Sequence, residues 1–399
     1  MLQLSADPNF HFELLRILAS ARCYGADVAE ILKLGQRIEP GNTESWYEQF
    51  YDLAQWVLST IDPNGKNDKV TLRDAYFRAS RYLFAAGFFL VSGTEEDPRL
   101  ASLWKSWSHY FDQAIRVMEI PPERLTLKAD GFEIPIIVFR ASLDNTPRPV
   151  LILGNGLDGS MEEMLHANGF PALERGYHVV LYEGPGQHTC LRQSNVGFIH
   201  DWERVVTPVV DHLQTLDFVD KERIGLLGLS LGGYLAARVA CFEHRLAAVA
   251  CVDGMNDVYA NTFNLLPRKA TEHLEKGEEE AFEEALRGEM TKSTNLKWIM
   301  HQISWTFKAP PYQAMQLLKK MKIEQWMLDQ VQCPVFVADA EHDLFVTMAP
   351  QAKPLADGLG SKATFVRFTE KESAEAHCHI GATVYLNQVL LEWFRDVMK

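Results

Sequence analysis

Positive charge is scarce in this 399-residue sequence: 39 Lys and Arg stand against 53 Asp and Glu, a formal net charge of −14. An acidic surface repels phosphate backbones and anionic headgroups, and no basic run reverses that locally, so neither a nucleic-acid nor a membrane partner is expected. Cysteine is also sparse. Cys23, Cys190, Cys241, Cys251, Cys333 and Cys378 include no C-x-x-C pair, which speaks against a disulfide framework or a zinc site and for free thiols in a reducing compartment. Apolar runs never reach the ~18 residues of a membrane-spanning helix. The first fifteen residues lack the basic start and apolar stretch of a signal peptide, so the expectation is a cytoplasmic protein. H-E-x-x-H and G-x-x-x-x-G-K-[ST] are both missing, and neither a metal nor a cofactor is expected.

What is present is ordinary for a globular chain: 47% hydrophobic and 23% charged residues, long enough to bury a core without covalent staples. Residues 1–120 read as helical, with apolar residues three and four apart over 42–61, 71–90 and 100–118, and turns at 62–68 and 92–99. From about residue 124 the texture changes. "RLTLKADGFEIPIIVFRA" predicts a hairpin turning at Asp130-Gly131. Strands are then expected at 150–154, 178–182, 224–228, 247–252, 335–339 and 364–368. Helices are expected at 162–174, 198–216, 231–242 and 382–397. Strand–helix alternation of this kind predicts an α/β fold, a mostly parallel eight-stranded sheet flanked by helices. The interval 256–330 carries only helical text, too long for a crossover, and reads as a helical insertion after the sixth strand. The charge run at 275–284 reads as a solvated helix face. The division expected is 1–120 as a helical lid, 121–255 with 331–399 as the core, and 256–330 as an insertion contributing to the lid.

Gly228-Leu-Ser230-Leu-Gly232 is a G-x-S-x-G pattern, which chance places in a chain of this length about 0.1 times. Here it joins an apolar strand to a helix, where flanking glycines permit a sharp turn that exposes the serine. A serine nucleophile needs a base, and the base needs a carboxylate. "CPVFVADAEHDLFV" (333–346) puts Asp343 on an acidic loop after a strand, with Asp339 and Glu341 as rivals. "AEAHCH" then offers His377, with His379 as rival, before the last helix. The glycine-rich "GNGLDGS" after the strand at 150–154 provides Leu157 or Asp158 as a backbone N–H donor to an oxyanion, beside that of Leu231. It lacks the G-x-G-x-x-G spacing, and its following acids stand where a pyrophosphate would sit. "YEGPGQHTC" carries His188, read either as facing the site or as a plain loop histidine. Trp46, Tyr47, Tyr51, Tyr76, Phe77, Phe88 and Phe89 either line an apolar pocket or form helix–helix core.

On GLSLGG, AEHD and EAHCH, residues 124–399 resemble the α/β-hydrolase fold. "YFRASRYLFAAGFFL", "EEDPRL", "GNGLDGSMEEM", "YEGPGQ" and "AEAHCH" extend the resemblance over nearly the whole chain. They are similar to a subgroup holding the 2,6-dihydroxypseudooxynicotine hydrolase, FrsA-like esterases and fungal hydrolases of polyketide pathways of the fusarin type. The acid loop departs from the usual pattern, with Ala340 where a glycine is common and Asp339 where a histidine often stands. The resemblance implies Ser230 as nucleophile, Asp343 as acid, His377 as base, and N-terminal helices over the site. The expected function is a serine-dependent hydrolase acting on an ester, thioester or carbon–carbon bond of a hydrophobic, polyketide-like small molecule. A cyclising acyltransferase or a non-catalytic ligand-binding protein on the same fold are the alternatives, and the sequence is compatible with a homodimer.

Overall fold

The computed structural model describes residues 2–94, 97–345 and 351–399. Glu95 and Glu96 of "EEDPRL" and of the 92–99 turn, and Val346 at the end of the acid-loop segment, lie outside the described residues. Among the described residues, eight strands form one sheet: β1 (Glu123–Ala129), β2 (Phe132–Phe139), β3 (Arg148–Gly154), β4 (His178–Tyr182), β5 (Val219–Leu229), β6 (Ala248–Val252), β7 (Val335–Ala340) and β8 (Ala363–Phe368). Their order is β1-β2-β4-β3-β5-β6-β7-β8. The hairpin turns as expected at Asp130-Gly131, with Ala129 opposite Phe132 and Gly131 at φ +88°. β2 runs antiparallel to β4, and every pairing from β4 through β3 to β8 is parallel.

The central strands are apolar because both faces are covered. Their residues alternate between two hydrophobic clusters: Val150, Ile152, Leu226, Val249 and Val335 feed one, while Leu151, Leu153, Leu227, Ala250 and Phe336 feed the other. β5 begins five residues earlier than its apolar core suggests, at Val219 rather than 224, because a strand's polar start still pairs: Arg148 lies opposite Val219.

Among the described residues, five α-helices precede the sheet: α1 (Pro8–Ala19), α2 (Val28–Gly35), α3 (Thr43–Ser59), α4 (Lys69–Gly87) and α5 (Pro98–Arg116). Each begins at an Asp or Asn whose side chain accepts from the first-turn N–H groups: Asp7, Asp27, Asn42, Asp68 and Asp97. Such caps contribute about 1 kcal/mol each. α4 packs between α3 and α5 and is buried almost continuously from Ala75 to Gly87. Trp46 Nε1 of α3 donates to the Ala85 carbonyl of α4 at 2.7 Å.

Two expected helices are corrected. The span 162–174 is not one α-helix: Met161–Met164 is followed by a π turn, Leu165–Gly169, and then Phe170–Leu173. Pro171 has no N–H to give the Ala167 carbonyl, which accepts instead from Asn387 Nδ2 at 2.8 Å. The span 198–216 shortens to Glu203–Gln214, because the Phe198 N–H is drawn to the Thr306 carbonyl at 3.1 Å. Between β6 and β7 the described chain forms six helices: Val258–Leu265, Arg268–Lys276, Glu279–Met290, Thr294–Phe307, Pro311–Leu318 and Gln325–Leu328. Among the described residues, no helix is long and apolar enough to cross a membrane.

Candidate active site

Ser230 stands between β5 and the Leu231–Ala240 helix at φ 59°, ψ −126°, a conformation that costs a non-glycine residue about 1–3 kcal/mol. The surroundings hold it there. Its N–H donates to the Val252 carbonyl and its carbonyl accepts from Gly233, both at 2.8 Å. Gly228 is dictated by the same turn, since a Cβ there would lie 1.9 Å from the Gly232 carbonyl oxygen.

His377 Nε2 lies 2.8 Å from Ser230 Oγ, and its Nδ1 is hydrogen-bonded to the Asp343 carboxylate. Asp343 is steadied by accepting the Phe345 N–H at 2.8 Å, and the Phe345 ring packs edge-on against the His377 imidazole. Burial opposes charge on His377, but the Asp343 carboxylate outweighs it and holds the imidazole pKa well above its ordinary value. The rivals are engaged elsewhere. Asp339 accepts the Ala352 N–H at 3.1 Å, and Glu341 accepts the Glu370 N–H at 2.9 Å. His379 bonds the Ala374 carbonyl through Nδ1 at 2.8 Å, packs on Phe368, and is held neutral by burial, with its pKa near 4.

A fourth residue escaped the sequence reading. Asp253 follows β6, is buried, and has φ 51°. Its Oδ2 accepts the Cys378 N–H and lies 3.6 Å from His377 Nδ1. Its Oδ1 has no hydrogen-bond partner among the described residues and faces His379 Nε2 at 3.9 Å. Burial raises its pKa to about 8, with the His377 charge opposing and Asp343 adding to the rise. The only signal in the sequence is an Asp-Gly pair at a strand's end, which is common at turns of no chemical consequence.

Asp253, His377 and Cys378 bring ligand-type atoms within 4.8 Å of one another. Both imidazole nitrogens of His377 are already committed, and burial keeps the Cys378 thiol protonated, so this trio is poorly suited to hold a metal.

A cavity of about 160 Å³ opens beside Ser230. Leu157, Asp158 and Leu231 all line it, and among the described residues their N–H groups have no protein partner. The loop presses on the turn: a Cβ at Gly156 would lie 3.1 Å from Leu231 N. α1 supplies Phe12 and Arg16 to the wall, α4 supplies Arg81, and the Thr294–Phe307 helix supplies Trp298, Ile303 and Phe307. His188 is not in this wall. It bonds the Asp158 carbonyl through Nε2 at 2.9 Å from behind, its pKa lowered by burial to about 4. The aromatics Trp46, Tyr47, Tyr51, Tyr76, Phe77, Phe88 and Phe89 do not line it either. Trp46, Tyr76, Phe77 and Phe88 are buried in the helical core, as Trp46 is against Phe10 and Phe50, whereas Tyr47 and Phe89 are half-buried against it and Tyr51 is exposed.

Residues 150–357 match the alpha/beta hydrolase family. The chain is 28% identical to Hydrolase LUC6 of Fusarium sp, over 99% of this chain and 98% of that protein. It is 28% identical to the 20-hydroxy-prefusarin hydrolase FUS2 of Gibberella moniliformis, over 96% and 92% respectively. The crystal structure of the 2,6-dihydroxy-pseudo-oxynicotine hydrolase shares the fold with a TM-score of 0.71 at 19% identity, over 95% of both chains. The chain is a hydrolase, and it belongs to the alpha/beta hydrolase family.

Proposed function

We propose that the protein is a serine-dependent hydrolase of a hydrophobic, polyketide-like metabolite, cleaving an ester, thioester or carbon–carbon bond next to a carbonyl. The observation that carries this reading is the continuous hydrogen-bonded chain from Ser230 through His377 to Asp343, opening on a cavity walled by Phe12, Trp298, Ile303, Phe307 and Phe345. His377 Nε2 takes the Ser230 proton as Oγ attacks the carbonyl carbon, and Asp343 stabilises the imidazolium and holds its tautomer. The N–H groups of Leu231 and of Leu157 or Asp158 receive the oxyanion. His377 then returns the proton to the leaving group, and water attacks the acyl-enzyme by the same route.

The helices before β1 and those between β6 and β7 serve as a lid, since both send side chains into the cavity wall. The fungal relatives, among them a hydrolase of 20-hydroxy-prefusarin, support a secondary-metabolite substrate. All six cysteines are free thiols, which suits a cytoplasmic protein. The test is labelling with a fluorophosphonate probe followed by peptide mass analysis: modification at Ser230, lost in Ser230→Ala, is expected. Folded wild-type protein that stays unlabelled at Ser230 would defeat this reading.

A further inference from the structure

One end of the cavity wall holds a buried ionic cluster that a purely hydrocarbon pocket has no use for. Arg16 grips Glu163 with two parallel hydrogen bonds, Nε to Oε1 at 2.6 Å and Nη2 to Oε2 at 2.5 Å. It also reaches Glu13 at 3.3 Å and Asp158 at 3.4 Å, so its donors are all directed at carboxylates. Arg81 is different. Nη2 donates to Glu163 Oε1 at 2.6 Å, but Nε and Nη1 have no hydrogen-bond partner among the described residues, although the side chain is only 3% exposed. A buried guanidinium with idle donors is costly unless something fills the gap. Arg81 shares the cavity wall with Ser230 and Leu231, and Trp298 Nε1 is a second buried, unpartnered donor of the same wall.

We propose that Arg81 binds a second oxygen of the substrate, so that the substrate is a carbonyl compound carrying a further neutral acceptor, such as a ketone, amide or enol oxygen, beyond the carbonyl that Ser230 attacks. The inference rests on the serine mechanism above. Charge balance selects the neutral acceptor. Glu163 and Asp158 offset Arg16 and Arg81, and burial pushes the Glu13 carboxyl up to about 7, so that it is largely protonated below that pH. A substrate carboxylate would add a negative charge that the cluster has no cation left to meet.

The experiment compares N-acetylcysteamine thioesters of a single chain length, one unsubstituted, others carrying one ketone at successive carbons, and one ending in a carboxylate. Wild-type protein should prefer at least one ketone ester by about tenfold in kcat/KM. Arg81→Gln should lower kcat/KM for that ester about tenfold more than for the plain one, chiefly through KM. Arg81→Lys, which keeps the charge against Glu163 but not the fork of donors, should likewise lose the preference, and it covers the case in which Arg81→Gln fails to fold. Equal treatment of ketone and plain esters by the wild type, or an equal loss of both in the variants, overturns the inference and leaves Arg81 as a pin between α4 and the core. Preference for the carboxylate ester overturns the neutral acceptor. Fluorophosphonate labelling in parallel separates the two levels: labelled Ser230 without ketone preference defeats only this inference, whereas an unlabelled Ser230 defeats the mechanism beneath it.

Discussion

Asp253 Oδ2 lies 3.6 Å from His377 Nδ1, the ring nitrogen that Asp343 already holds. Two carboxyl groups therefore converge on one imidazole. Burial, with the Asp343 charge adding to it and the His377 charge opposing, raises the Asp253 pKa to about 8, so Asp253 is protonated through neutrality; its side chain is 3% exposed.

Asp253→Asn mimics the protonated carboxyl and cannot ionise. Wild type and variant should follow the same pH–activity curve through neutrality. The wild type alone should then show an inflection near pH 8, where Asp253 loses its proton beside His377. Steady-state kinetics across that range decides the matter: an inflection retained in the variant removes Asp253 from the titration.

Because Asp343 raises the His377 pKa, the neutral imidazole that the proposed mechanism needs forms only as pH climbs past that elevated value. The acid limb of kcat/KM should therefore have its midpoint above the unperturbed 6.5. Asp343→Asn should cut kcat by about 10³–10⁴-fold through loss of the correct tautomer and move the acid limb to lower pH. A limb that does not move would mean that another group sets the imidazole charge.

Glu163 is held near pKa 2 against the opposing effect of burial, chiefly by Arg16 and Arg81. Its folded value lies below the unfolded 4.5, so its stabilisation is present above pH 4.5 and fades as pH falls toward 2. Glu163→Gln should leave two arginines poorly matched and cost about 3–5 kcal/mol in urea unfolding. The variant's stability should also vary less with pH in that window. A loss under 1 kcal/mol would show that the arginines find water instead.

Gly228→Ala places a methyl group where the Gly232 carbonyl oxygen already is. The turn bearing Ser230 must shift, and with Ser230 as the proposed nucleophile a displacement of ~1 Å should cost about 10²-fold in kcat/KM. Circular dichroism establishes that the variant is folded before its rate is read, and a folded variant with near-normal kcat/KM would show the turn to be more forgiving than its geometry implies.

The fold was legible because its signals are local. Turn-bounded strand patterns marked all eight strands, and the order of the candidates Ser230, Asp343 and His377 followed from loops that leave the ends of β5, β7 and β8. Within those loops the choice was not local. Asp343, Asp339 and Glu341 share one short segment, and only the Phe345 N–H, the Ala352 N–H and the Glu370 N–H, arriving from different directions, separate their orientations. The seven aromatics were left between pocket and core for a related reason: helical periodicity reveals that a face is apolar, not what will cover it. α4 turned its aromatics toward α3 and α5 and sent Arg81 to the cavity.

What the sequence by itself determined is the turn at Ser230 and the α/β alternation around it, since glycine spacing and apolar periodicity act over a few residues of chain. Tertiary structure alone decided that Asp253 joins His377, that Arg81 meets Glu163, and that Phe12 and Trp298 share a wall. Each is a contact between residues far apart in the chain. The energy of such a contact arises only when folding has removed both partners from water and set them side by side.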